Sequence, residues 1–135
     1  MPLIEQICIN DVDDIVRTRT TVRQIATEIG FSVTDQTRLA TAVSELARNL
    51  VQNAGTGFCD VHDDSVGNTL QMRLVLTDSG PGIPDVSLAM RDGYSSTGGM
   101  GAGLPGVRRL MDSFVVNTSP GNTSITAVMI RKKLQ

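Results

Sequence analysis

Residues 77–85 read T-D-S-G-P-G-I-P-D, and residues 98–106 read G-G-M-G-A-G-L-P-G. Eight of the chain's thirteen glycines fall between positions 77 and 106. Asp78 ends an aliphatic run, and two glycine clusters follow it. With two glycines and two prolines, residues 79–84 cannot continue a strand and form a tight turn. The second cluster opens a helix expected from 104 or 105 to 113, with Pro105 suited to a first turn. Glycines that open a helix offer free backbone N–H groups at the positive end of the helix dipole. That suits a phosphate; the competing reading is a plain surface loop.

Upstream of the turn, Leu70, Met72, Leu74 and Leu76 alternate on one face of a strand over 69–78. Asp78 falls on that same face. A carboxylate there must find a donor, either as a cap on the following turn or from a ligand such as an amino group. Residues 57–65 and 69–78 form a hairpin around Gly67-Asn68. A first strand covers 4–9, and Asn10 or Asp11 caps a helix over 12–29 that Gly30 stops. Thr34 or Asp35 caps a second helix reaching about residue 54, with Gly55 past its end. Leu39, Val43, Leu46 and Leu50 form its buried stripe. Glu45 and Asn49, four residues apart, stack to one side of that stripe, either as an exposed polar flank or as groups facing a cleft. Downstream, strands over 114–118 and 124–131 flank the turn S-P-G-N-T. The polar stretch 85–97 reads as a short helix and a lid, anchored by Val86, Leu88 and Met90.

The order β, α, α, β, β, lid, α, β, β predicts an α+β fold. It is a two-layer α/β sandwich with helices on one face of a mixed, mostly antiparallel sheet, in a single domain over 1–135. With 40 % hydrophobic and only 3 % aromatic residues, the core must be built from Ile, Leu, Val, Ala and Met. The net charge is −2 and the arginines are scattered, which disfavours nucleic acid. Cys8 and Cys59 have no C-x-x-C spacing and read as reduced, half-buried packing residues. A single histidine makes a Cys/His metal site improbable. No signal peptide and no apolar run near 18 residues is visible, so the expected location is cytoplasmic, without membrane attachment. No lysine lies near the glycines, so a Walker loop fails. Gly101, Gly103 and Gly106 fit G-x-G-x-x-G, but no acid ends a second strand beyond them, so the dinucleotide reading is weak. A catalytic triad lacks a G-x-S-x-G partner for His62.

Taken together, S-E-L-A-R-N (44–49), D-S-G-P-G-I-P (78–84), G-G-M-G-A-G-L-P-G-V (98–107) and P-G-N-T (120–123) resemble the four nucleotide-binding boxes of the GHKL ATPase/kinase superfamily, the Bergerat fold. Within it the chain is most similar to the anti-sigma-factor serine/threonine kinases of the RsbT type, switch kinases of bacterial stress signalling. The resemblance implies ATP and Mg²⁺ as cofactors and a role for each matching residue. Asn49 corresponds to the Mg²⁺ ligand, and Glu45 to the carboxylate that takes the proton from the attacking hydroxyl. Asp78 corresponds to the acceptor for the adenine amino group. Gly80 and Gly82 leave room for the base, Gly99, Gly101 and Gly103 supply N–H groups to phosphates, and Thr123 closes the adenine side. Three positions depart from the family pattern. Asn122 replaces a usual glycine, though Asn tolerates left-handed angles. Asn53 replaces a frequent His or Lys, and Thr97 an arginine that some relatives carry.

The implied function is an ATP-dependent serine/threonine protein kinase that acts by partner switching. It would phosphorylate a STAS-domain antagonist or a stressosome-type scaffold protein, with a PP2C-type phosphatase or a sigma factor as further partners. The alternative is a nucleotide-dependent binding switch, an anti-sigma factor or phosphatase activator, that transfers little or no phosphate. A detached ATP-binding domain working with a histidine-containing domain is a third reading; no histidine here is placed as a phospho-acceptor.

Overall fold

Helix α1 (Val12–Ile29) starts where the extended Asp11 turns its carboxylate back to accept the Asp14 N–H, 3.2 Å away. It ends at Gly30, whose φ of 115° lets its N–H reach the Ala26 carbonyl. Ile15, Val22, Ile25, Ala26 and Ile29 recur along it at helical spacing; the first four are buried and Ile29 is half-buried. The computed structural model describes residues 3–83, 90 and 103–133. The expected short helix and lid, apart from Met90, lie outside the described residues.

Helix α2 (Val33–Ala54) is capped by Ser32, not by Thr34 or Asp35. The Ser32 hydroxyl accepts the Asp35 N–H at 3.1 Å. Asp35 itself is buried and taken up by two arginines, Arg38 at 3.1 Å and Arg131 at 3.0 Å. All four residues of the expected stripe are buried. Burying a side chain such as Leu39 or Leu46 stabilises the fold by roughly 1.5–3 kcal/mol.

Strands β1 (Leu3–Ile9), β2 (Gly57–Asp63), β3 (Thr69–Asp78), β4 (Ser113–Ser119) and β5 (Asn122–Lys132) form one sheet in the order β1-β2-β3-β5-β4. Every neighbouring pair is antiparallel. Leu70, Met72, Leu74 and Leu76 of β3 share a buried face with Ile125, Ala127 and Met129 of β5. The helices cover that face, giving the expected α+β sandwich, with a sheet that is antiparallel throughout rather than mixed. Period-2 alternation separates the two cysteines, which are not both half-buried: Cys59 lies in the core and Cys8 is exposed on the other face. Burial pushes the Cys59 thiol up to about 12.

The third described helix, α3 (Gly103–Leu110), stops three residues before the sequence suggests. Beyond it β5 captures the chain: the Asp112 N–H donates to the Val128 carbonyl, and its carboxylate accepts the Ile130 N–H at 2.7 Å. Residue 113 therefore already belongs to β4. The last hairpin turn is also tighter than expected. Ser119 pairs with Asn122, leaving only Pro120 and Gly121 between them, and Gly121 takes the positive φ of 88°. Pro then Gly with that φ is the signature of a type II turn.

The sandwich has two unlike ends. At one, Arg131 bridges Asp35 of α2 and Asp112, the latter at 2.8 Å, tying β5, α2 and the α3–β4 connection together. At the other lie the C-terminal turns of α2, the end of β3 and the start of β5, where the candidate site residues collect.

Candidate functional site

The register of the sheet assembles one row across all five strands. Ile9, Gly57, Asp78, Thr123 and Thr118 are successive partners from β1 to β4. Directly paired residues point to the same face, here the face covered by the helices. Asp78, near the row's centre, therefore stands beside Thr123 under the end of α2. Two positions show how closely α2 is seated there. A Cβ on Gly57 would lie 2.8 Å from Leu50 Cδ1, and one on Gly80 would lie 2.6 Å from Ala54 Cβ.

Asp78 makes the cap that one sequence reading allowed. Its Oδ1 accepts the Gly80 N–H at 2.9 Å, fixing the carboxylate and the turn together. Its Oδ2 accepts no hydrogen bond from the described residues. The turn is held from the far side by the β4–β5 hairpin: the Gly121 N–H donates to the Gly80 carbonyl at 2.8 Å, and the Ile83 N–H donates to Thr118 Oγ1 at 2.9 Å. Gly82 takes a φ of 88°, and a Cβ there would lie 2.9 Å from the Ser119 carbonyl oxygen. Both glycines thus have a packing reason. Thr123 is buried, and its hydroxyl lies 2.7 Å from that of Thr118.

On α2, Glu45 and Asn49 are both half-buried on the flank of the stripe. Glu45 Oε1 accepts from Arg48 Nη1 at 2.7 Å, and the arginine is the more exposed partner of the two. Asn49 has no side-chain hydrogen bond among the described residues. Gly103 forms the first residue of α3, which packs against α2. Gly99, Gly101 and Thr97 lie outside the described residues. Asn122 needs no left-handed backbone: among the described residues positive φ occurs only at glycines, and Gly121 supplies the turn.

Sequence reasoning missed Thr118 and Arg48. Thr118 becomes visible once the Pro120-Gly121 turn is read as a two-residue loop, because that loop sets it opposite Thr123. Arg48 is one helical turn after Glu45, a spacing that pairs opposite charges on any helix; nothing in the sequence says whether such a pair forms.

The model of a family described as "Histidine kinase-, DNA gyrase B-, and HSP90-like ATPase" matches residues 34–133. Serine/threonine-protein kinase RsbT of Bacillus subtilis is 46 % identical over 116 residues, covering 85 % of this chain and 87 % of that protein. Among solved structures, the RsbU and RsbW domains of a Mycobacterium tuberculosis protein align with a TM-score of 0.64 at 16 % identity. That alignment covers 97 % of this chain but only 35 % of the solved one. The mycobacterial sensor histidine kinase MprB aligns with a TM-score of 0.57 at 19 % identity, over 96 % of this chain and 99 % of that one. At such low identity the two structures speak for the fold alone.

Proposed function

Because this chain belongs to the histidine kinase-, DNA gyrase B- and HSP90-like ATPase family, we propose that it is an ATP-dependent serine/threonine protein kinase whose nucleotide site is the end of the sandwich under α2. One observation carries the placement. The β3–β5 register sets Asp78 against Thr123, at the same end where the last turns of α2 press on the turn after Asp78.

For the described residues, each task agrees with the surroundings. The Gly80 N–H holds one oxygen of Asp78 and leaves the other as an acceptor for the adenine amino group. Thr123 borders the base beside it. Asn49, without a partner among the described residues, offers its side-chain oxygen to a divalent cation. Among those residues no three His, Cys, Asp or Glu side chains gather into a cage. An amide oxygen is a hard donor suited to Mg²⁺, which takes one or two protein ligands and would complete its shell with phosphate and water. When bound, Mg²⁺ neutralises charge on the phosphates. Gly99, Gly101 and Gly103 supply backbone N–H groups to those phosphates. Glu45, one turn before Asn49, takes the proton from the attacking serine or threonine hydroxyl. Phosphoryl transfer asks mainly for positioning and charge neutralisation, so a base and one metal ligand on a single rigid helix suffice.

The protein substrate in this reading is a STAS-domain antagonist or a stressosome-type scaffold. A PP2C-type phosphatase or a sigma factor is the partner exchanged on phosphorylation. Single-turnover transfer from γ-labelled ATP to a purified STAS-domain protein tests the chemistry. Wild type labels the acceptor; Glu45→Gln binds ATP normally but transfers about a hundredfold more slowly or worse. Transfer by Glu45→Gln at the wild-type rate would remove Glu45 from the chemistry. Binding without transfer by wild type would leave a nucleotide-dependent switch.

A further inference from the structure

Four arginine-paired carboxylates among the described residues are largely sheltered from solvent: Asp14, Asp35, Glu45 and Asp64. In all but Glu45 both oxygens are engaged. Asp14 accepts Arg17 on Oδ1 and the Asn10 N–H on Oδ2. Asp35 accepts Arg38 on Oδ1 and Arg131 on Oδ2. Asp64 accepts Arg73 on both, at 2.8 and 3.5 Å. In Glu45, Oε1 accepts Arg48 Nη1 at 2.7 Å, and Oε2 accepts nothing from the described residues. Helix spacing does not explain the difference, because Asp35 and Arg38 stand at the same i, i+3 interval on the same helix. We propose that Arg48 is a positioning residue for phosphoryl transfer: it holds Glu45 by one oxygen and leaves the other to take the proton of the attacking hydroxyl. This rests on the reading of Glu45 as the base.

The chemistry asks for that division between the two oxygens. In the step, the serine or threonine oxygen bonds the terminal phosphorus of ATP. The bond from that phosphorus to the bridging oxygen breaks, and its electron pair leaves with ADP. The hydroxyl proton passes to Oε2 of Glu45. In Asp35 each oxygen already faces a cation, which leaves no open side for a hydroxyl to approach. A glutamate with neither oxygen held turns about its side-chain bonds, and fixing it at the moment of transfer costs entropy. Holding one oxygen in advance removes that cost and keeps a base within reach. A guanidinium suits the task, since it stays charged and donates N–H groups in a fixed fork. Among the described residues Arg48 makes no hydrogen bond except to Glu45. As a stabilising contact alone, a helix-surface pair of this kind contributes little.

The test is a double-mutant cycle read by single-turnover transfer from γ-labelled ATP to a purified STAS-domain protein. Its members are wild type, Arg48→Met, Glu45→Gln and the double variant, with Arg48→Lys beside them. Methionine keeps a long stem and a good helix propensity and removes the donors. Arg48→Met should slow transfer about tenfold in the wild-type background but less than about twofold in the Glu45→Gln background. ATP affinity, read by calorimetry, should stay within about twofold throughout, and Arg48→Lys should recover most of the lost rate. A merely structural role would lower transfer by the same factor in both backgrounds. That result overturns the proposal, as does wild-type transfer by Arg48→Met. If Glu45→Gln is slow and Arg48→Met is not, only the Arg48 assignment is lost. If Glu45→Gln transfers at the wild-type rate, or wild type transfers nothing, the reading of Glu45 as the base is lost with it.

Discussion

Gly80→Ala tests the seating of α2 on the Asp78 turn. The new methyl would lie 2.6 Å from Ala54 Cβ and 3.0 Å from Ala54 Cα. Carbon atoms in good contact sit about 3.5–4.0 Å apart, so the first contact is roughly 1 Å too close. Neither atom belongs to a flexible side chain, so the relief must come from the turn or the helix end. Overpacking of this kind costs about 1–3 kcal/mol, and a value near 2 would lower the melting midpoint by about 6–10 °C in a chain of this size. Gly80 has no positive φ, so the cost is steric and can be relieved from the other side. Ala54→Gly alone should cost about 0.5–1 kcal/mol, since glycine is a poorer helix residue. Combined with Gly80→Ala it should recover about 1 kcal/mol or more. Recovery stays partial because contacts of 3.0 Å to Ala54 Cα and 3.2 Å to Asp78 Oδ1 remain. Urea denaturation of the four proteins measures the cycle, and ATP affinity should follow it, falling in Gly80→Ala and returning in part in the double variant. A Gly80→Ala protein as stable as wild type, or a double variant equal to the sum of the singles, would refute the close approach.

Three further outcomes follow from other parts of the fold. Arg131→Met leaves the buried Asp35 with Arg38 alone and takes the cation from Asp112; it should cost about 1–3 kcal/mol in urea denaturation and leave ATP affinity unchanged, because it lies at the far end of the sandwich. The hydrogen bond from Arg73, at 2.8 Å, holds the Asp64 carboxyl below its ordinary range. A depressed folded-state value stabilises above the unfolded value of about 4 and is lost as pH falls through the folded one, so the stability gap between wild type and Arg73→Met should be full at about pH 7 and shrink in acid titrations below about pH 4. A thiol reagent should modify Cys8 alone in the folded protein and reach Cys59 only on unfolding; rapid modification of both under native conditions would contradict the burial of Cys59.

Much of the fold was legible because local and tertiary signals agree. In α1, the Asp11 cap, the periodicity of Ile15, Val22 and Ile25, and the Gly30 stop all name the same limits, and the helix occupies them. At α2 three cap-forming residues compete. What decides for Ser32 is the use of Asp35 by Arg131, 96 residues away, which no local pattern records. The early end of α3 has the same origin, since Asp112 is held by β5. The site divides along the same line. Glu45, Asn49, Asp78 and Thr123 are visible as residues in ordered boxes, and the inward face of Asp78 follows from alternation along β3. That Asp78 meets Thr123 depends on β3 skipping β4 to pair with β5, a non-local choice. Thr118 and the Glu45–Arg48 ion pair emerge only once that pairing and the helix flank exist in three dimensions.

The most direct test of the proposed nucleotide site is a calorimetric titration of the purified protein with ATP and Mg²⁺, beside Asp78→Asn. The amide keeps the size of the carboxylate and can still place an oxygen near Gly80, but it sets an N–H₂ group where the proposed acceptor for adenine stood, or loses the cap. Wild type should bind saturably and depend on Mg²⁺, and Asp78→Asn should bind about tenfold or more weakly, a difference of roughly 1.4 kcal/mol. Equal ATP affinity in the two proteins would contradict the placement of the base at Asp78.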